Sequence, residues 1–370
     1  MTNIWSTRPK KHRDTATSLT DDLKARHFGG TGGSLADVGE SKLVDALVKE
    51  ARRSRDGHQL GVFLVDAGDD AAVWQPPPGR AVVLTQDALV EGIDYLPSWL
   101  TPYQLGRRAV TVSLSDIAGM AGTPIWCTIT FCASPTTLFD DLLAIQHGAC
   151  EIAREVGCAV VGGDISQIDG PLVVDVSAGG IVDANRMLRR NTGRIGDVLI
   201  VTGKLGRAAA GLRILSGHTA APLAADVGIW IEAQIAPEPR LAEAAMLARN
   251  DVTCGGDVSD GLIIDAGRTA RASGCAAELW LDAIPVDDLL RESFDDWPSL
   301  ALGGGEDFEI LAAVSKHALH GLLARWPSTL APLSAVGRLV PGAGVRLLQR
   351  KGGRTLALPP IQSQHFSESS

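Results

Sequence analysis

LGRRAVTVSLSDIAGMAG, residues 105–122, followed by WCTITFCA, residues 126–133, is the stretch on which the fold turns. The first part reads as an apolar helix that carries one aspartate, Asp116; the second reads as a strand. The run from Ile117 to Phe139 has no charge, but Gly119, Gly122, Pro124 and Pro135 interrupt it. A buried helix, a turn and a strand account for it better than a membrane span.

Working outward, the strands GVFLVD (61–66) and RAVVLTQD (80–87) precede it, joined by the turn PPPG (76–79). Upstream, a helix is expected from Ser34 to Arg53, with Leu43, Leu47 and Val48 on one face. Downstream come a helix at 140–157 and the strands AVVGGD and LVVDVSAGGIV. A second segment opens near Gly196 with the strand GDVLIVTG and the helix LGRAAAGLRIL. Further helices follow APEPR (236–240) and DVSDG (257–261), then ELWLDAIPV, GGGEDFEILAAV and a terminal strand, GVRLLQR. Strands alternating with helices in both halves predict an α/β chain of two domains. The expected limits are a flexible tail at 1–33, domains at 34–190 and 191–350, and a second tail at 351–370. The glycine-rich FGGTGGS that ends the first tail fits either a plain linker or a lid over bound phosphate.

The chain has 370 residues, 45% of them hydrophobic, which suffices for a sizeable core. Its net charge of −9 argues against nucleic acid as a partner, since gripping a phosphate backbone calls for a basic face. The 6 cysteines form no C-x-x-C pair and read as reduced core thiols, and the N-terminal residues lack the apolar core of a secretory signal; a cytoplasmic protein is expected. No P-loop, G-x-S-x-G or H-E-x-x-H pattern occurs.

Acidic residues recur beside apolar strands and glycines: Asp69-Asp70, Asp87, Asp116, Asp164, Asp257, Asp260 and Glu306-Asp307. A buried carboxylate is costly unless it is paired or bound to metal, and Lys and Arg are rare in the sequence around these positions. Magnesium suits such a set, because it takes hard oxygen ligands and bridges carboxylates to nucleotide phosphates. Any one of these turns is ordinary turn chemistry. Their recurrence in both halves points to a shared site for metal and polyphosphate.

The ordered motifs GDDAAVW, TQDALVEG, GRRAVTVSLSDIAGMAGTP, VVGGDIS, MLRRNTGRIGD, APEPR, DVSDGLIIDAG and LGGGEDFEI resemble thiamine-monophosphate kinases over about residues 34–350. That family shares a superfamily with aminoimidazole ribonucleotide and selenophosphate synthetases. The resemblance implies a two-domain α/β (α+β) synthetase-type fold, with an N-terminal sheet that pairs with a second subunit into a shared β-barrel. It also implies ATP-dependent, Mg²⁺-assisted phosphorylation of thiamine monophosphate by direct in-line transfer, in a homodimer. Carried over, it makes Asp70, Thr85, Gln86, Asp87, Asp116, Asp164, Asp257 and Asp260 metal positions. Gly163, Asp164, Arg190 and Ser259 match ATP-contacting positions, and Asp94, Glu306 and Ser363 stand at substrate positions. Three residues depart from the family pattern: Gln86 where a hydroxyl is usual, Asp94 in place of a histidine, and Ser363 where an aromatic would stack on thiamine. These departures keep two alternatives open, a related kinase with another small phosphorylated or amine acceptor and a nucleotide-binding dimer without catalysis.

Overall fold

The computed structural model describes residues 34, 40–53, 62–65, 73–217 and 227–361. The expected tail at 1–33, Asp69, Asp70 and Ser363 lie outside the described residues.

After helix α1 (Glu40–Arg53), strands β1 (Val62–Val65) and β2 (Val73–Gln75) form a small antiparallel pair. A four-stranded sheet follows, in the order β3-β6-β4-β5, built from β3 (Ala81–Val90), β4 (Thr123–Ala133), β5 (Ala159–Gln167) and β6 (Val173–Val182). Helices α2 (Pro102–Gly119) and α3 (Phe139–Glu155) share a core with this sheet.

Helix α2 starts three positions earlier than its apolar run suggests, because Thr101 and Gln104 form a capping box behind Pro102. Such a cap contributes about 1 kcal/mol. Leu105, Val110, Leu114 and Ile117 are all buried, each stabilising by roughly 1.5–3 kcal/mol. Two glycines let α2 and α3 cross at backbone contact: a Cβ on Gly106 would sit 1.8 Å from Ile145 O, and one on Gly148 would sit 2.0 Å from Tyr103 O.

The C-terminal half builds a seven-stranded sheet in the order β13-β12-β9-β11-β7-β10-β8. Its strands are β7 (Val198–Thr202), β8 (Cys254–Val258), β9 (Ala276–Trp280), β10 (Glu309–Val314), β11 (Leu333–Val340), β12 (Val345–Leu348) and β13 (Thr355–Leu356). The helices of this half are α4 (Arg207–Leu215), α5 (Gly228–Ile235), α6 (Leu241–Arg249), α7 (Leu262–Ala272), α8 (Asp288–Ser293), α9 (Trp297–Gly303) and α10 (Lys316–Arg325).

Both sheets are mixed in strand direction. Among the described strands, β4–β5 and β9–β12 pair in parallel and the remaining neighbours are antiparallel. Strands next to each other in sequence are mostly not neighbours in the sheet, so chain order does not reveal direction. Strand β11 has no counterpart in the sequence reading, and GVRLLQR is not terminal, since β13 pairs with it. Ala118 of α2 packs with Ile200, Ile310 and Ala312, so the two halves share a piece of core at the C-terminal end of α2. All six cysteines are free, five of them buried. No helix among the described residues is long and apolar enough to cross a membrane.

Candidate active site

Strand β3 runs on to Val90, so Asp87 lies within it and not at its end. Because side chains alternate along a strand, Thr85 and Asp87 share the half-buried face while Gln86 takes the exposed one. The Gln86 amide donates to both carboxylate oxygens of Asp175, each at 3.0 Å. The amide therefore stands on the opposite face from the other β3 residues expected at the metal.

On the half-buried face, the Thr85 hydroxyl donates a short hydrogen bond to Asp116 Oδ2. Asp87 Oδ2 is buried without a hydrogen-bond partner. Burial first, then the charge of Asp116, pushes the Asp87 carboxyl up to about 6. Asp257 on β8 is 3% exposed and accepts from Ser115 at 2.8 Å, with Arg190 Nη2 at 3.5 Å from its other oxygen. Its carboxyl also rises to about 6, again through burial and then Asp116. Thr85, Asp87, Asp116 and Asp257, from β3, α2 and β8, thus make one acidic cluster at the junction of the two halves. Gly119 permits the junction: a Cβ there would stand 3.0 Å from Asp257 N. The linker is held to the same edge, since Arg189 N donates to Thr253 O and Gly255 N to Arg189 O, which carries Arg190 over Gly256.

Past β8, the backbone N–H groups of Ser259 and Asp260 donate to Asp265 Oδ2 at 3.1 and 3.0 Å. Asp265 is buried at the start of α7, and burial followed by the charges of Asp257 and Asp260 raises its carboxyl to about 7. Arg268 pairs with Asp260 and, at 3.0 Å, with Asp265. The loop leading into β10 meets this turn: Glu306 N donates to Ser259 O at 2.8 Å and Phe308 N to Val258 O at 2.9 Å. Both residues hold left-handed backbone, φ +67° and +50°, a conformation that costs non-glycine residues of order 1–3 kcal/mol each and persists where surrounding contacts enforce it. The Glu306 carboxylate accepts from Arg108 and, at 2.7 Å, from Gln234 Nε2. Between them, Asp307 accepts from the N–H groups of Gly206 and Ala208 at 2.8 and 3.4 Å, and burial raises it to about 8.

The other expected residues are placed apart. Gly163 and Asp164 lie within β5, both exposed. Register sets Asp164 opposite Thr130, hence in line with Asp175 and Ala88 on the face away from Asp87. Asp94 lies in the turn closing β3, where its carboxylate accepts the Val90 N–H at 2.7 Å. Arg108, Gln234, Ser115 and Asp265 are site residues that sequence reasoning missed. For Arg108 a signal existed: Arg108, Ser115 and Gly119 recur at near-integral helical turns along α2. The scarcity of Lys and Arg around the acidic positions also misleads, because Arg190 and Arg108 reach them through the fold and Arg268 from the first turns of α7.

The donor set suits a hard divalent cation: a hydroxyl, an orphaned carboxylate oxygen, and mutually repelling carboxylates at raised pKa. Among the described residues, no three His, Cys, Asp or Glu already stand as a group that could hold a metal ion.

The family model described as AIR synthase related protein, N-terminal domain, matches residues 68–182, and that of the C-terminal domain matches residues 194–348. A thiamine-monophosphate kinase of Buchnera aphidicola subsp. Schizaphis graminum is 30% identical over 318 residues, covering 85% of this chain and 95% of the relative. The crystal structure of thiamine-monophosphate kinase from Stenotrophomonas maltophilia K279a superposes with a TM-score of 0.71 at 33% identity, over 82% of this chain and 95% of that one. A solved structure of AaThiL complexed with AMPPCP and TMP gives a TM-score of 0.68 at 25% identity, over 91% of this chain and 100% of that one. On this similarity along nearly its whole described length, the chain belongs to the thiamine-monophosphate kinase family of AIR synthase related proteins.

Proposed function

We propose that this chain transfers the γ-phosphoryl group of ATP to thiamine monophosphate, giving thiamine diphosphate and ADP. The observation that carries the reading is the likeness to AaThiL complexed with AMPPCP and TMP, which extends over 91% of the chain. AMPPCP is an ATP whose terminal bridge oxygen is replaced by a methylene group, so it pairs with TMP as donor with acceptor.

Thr85, Asp87, Asp116 and Asp257 are the clustered residues we assign to Mg²⁺, with Asp70 and Asp260; Asp164, on the opposite face of the sheet, is outside this set. Bound there, Mg²⁺ would neutralise the triphosphate and the developing charge of transfer. Arg190, beside Asp257, offers its exposed guanidinium to a phosphate oxygen. Ser259, Gly163 and Asp164 are assigned to the nucleotide. Asp265 holds the Ser259–Asp260 backbone in place through two N–H bonds. Glu306, with Asp94 and Ser363, is assigned to the acceptor. The attacking atom is already a phosphate oxygen, so the chain needs to align it with the γ-phosphorus and requires no strong base.

A homodimer is part of this reading. Among the described strands β3 is an edge of its sheet, and it exposes Val82 and Leu84, at 49% and 67%, a surface suited to a second copy. The compartment we assign is the cytoplasm, in keeping with six free cysteines. Coupled ADP release with thiamine monophosphate tests the activity: acceptor-dependent turnover well above the ATPase background is expected. Turnover recovered solely on another small phosphate or amine would move the assignment to that acceptor, and ATP binding without transfer would end it.

A further inference from the structure

We propose that Arg108 is a positioning residue for the acceptor, one that fixes Glu306 at a set distance from the acidic cluster through the rigid body of α2. The proposal rests on the reading of Glu306 as an acceptor contact. Arg108 is 2% exposed, near the start of α2. One guanidinium nitrogen donates to the backbone oxygen of Gln234 on α5, and the other donates to Glu306 Oε1. The Gln234 side-chain nitrogen takes the second oxygen, Oε2, at 2.7 Å. Glu306 is therefore gripped at both oxygens from two helices while its side chain remains 34% exposed, open to a ligand.

Two observations indicate that the grip serves Glu306 and does more than fill the core. Gln234 Oε1 is buried without a partner, so the amide leaves its own acceptor unsatisfied in order to present its N–H groups to the carboxylate. Glu306 itself holds left-handed backbone, pinned by its bond to Ser259 O, the residue assigned to the nucleotide.

Along α2, Ser115 and Gly119 follow Arg108 at whole-turn spacing, and both meet Asp257. One stripe of the helix thus holds the acceptor loop at one end and the acidic cluster at the other, about 10 Å apart at the α-helical rise. Because both ends of the stripe lie on one continuous helix with most of its residues buried, that separation cannot drift unless α2 itself moves.

The test compares R108M, R108K, E306Q and the R108M/E306Q double variant, each with KM for thiamine monophosphate, KM for ATP and a thermal melt. R108M is expected to raise the thiamine monophosphate KM about tenfold or more while the ATP KM stays within about twofold. R108K, which keeps the charge but reaches one partner, should fall between R108M and wild type, and it remains informative should R108M fail to fold. In the E306Q background, R108M should add less than about threefold, because its target charge has gone. Equal rises in both KM values, or effects that multiply in the double variant, would overturn the proposal. A raised E306Q KM beside an unmoved R108K value would overturn it alone. An E306Q value equal to wild type would instead remove the acceptor reading, and the proposal with it.

Discussion

Replacing Asp257 with Asn should stabilise the metal-free protein at alkaline pH while abolishing its activity. In the folded state the Asp257 carboxyl stands at about 6, against an ordinary 3.8, because it is buried and faces Asp116. The native state therefore binds more protons than the unfolded chain between these values, and stability from this group is lost as pH rises through that window. At 1.36 kcal/mol per pH unit, the ionised carboxylate costs the folded protein roughly 3 kcal/mol above pH 7. Asn keeps an oxygen for the Ser115 hydroxyl, which now donates at 2.8 Å, and gives up a 3.5 Å contact with a largely exposed Arg190. The net gain expected at pH 8 is about 2 kcal/mol, and integration of the linkage places about 1.5 kcal/mol of growth between pH 5 and pH 8. Urea unfolding in EDTA at fixed protein concentration measures it. Magnesium at ten times its dissociation constant should then stabilise the wild type by about 1.4 kcal/mol and the variant far less. A variant less stable than wild type by the same margin at both pH values would refute the reasoning, since Asp257 would then be a structural hydrogen-bonding residue and not a strained carboxylate awaiting a cation.

Thr85→Val removes the hydroxyl that donates to Asp116. It should lower kcat and raise the magnesium concentration for half-maximal rate about tenfold, read by titrating metal at saturating ATP. Gly119→Ala puts a Cβ 3.0 Å from Asp257 N; crowding of about 1–3 kcal/mol against a helix-propensity gain of about 1 predicts a modest loss of stability and a larger loss of activity, checked by urea melts beside turnover. Leu84→Arg charges the exposed edge strand and should convert a dimer into monomer in sedimentation velocity; an identical sedimentation coefficient for both proteins would argue that β3 is not the contact surface.

Much of the candidate site was legible because its chemistry is written in residue type. The acidic positions, their glycines and their order along the chain carry both the metal–polyphosphate reading and the family resemblance. Element positions were legible for the same reason: apolar spacing in residues 105–119 and alternation around Thr85–Asp87 are local properties of the chain. Where local signals were weak, the reading failed. Strand β11 follows a proline-rich stretch, and β3 and β5 continue through Asp87 and Asp164, where a carboxylate looked like a terminus.

The sequence by itself determined which groups are available: hydroxyl, carboxylates, guanidinium groups, and the alternation that must separate Gln86 from Thr85 and Asp87. The tertiary structure decided which of them meet. Arg108 and Glu306 pair across 198 residues, Ser115 and Asp257 across 142, and Arg190 and Asp257 across 67. Periodicity extends over a few turns or strand repeats, whereas these pairs depend on how α2 docks against β8 and the loop before β10. The same docking buries Asp257 beside Asp116, so the raised carboxyl is a property of the fold and not of any stretch of sequence.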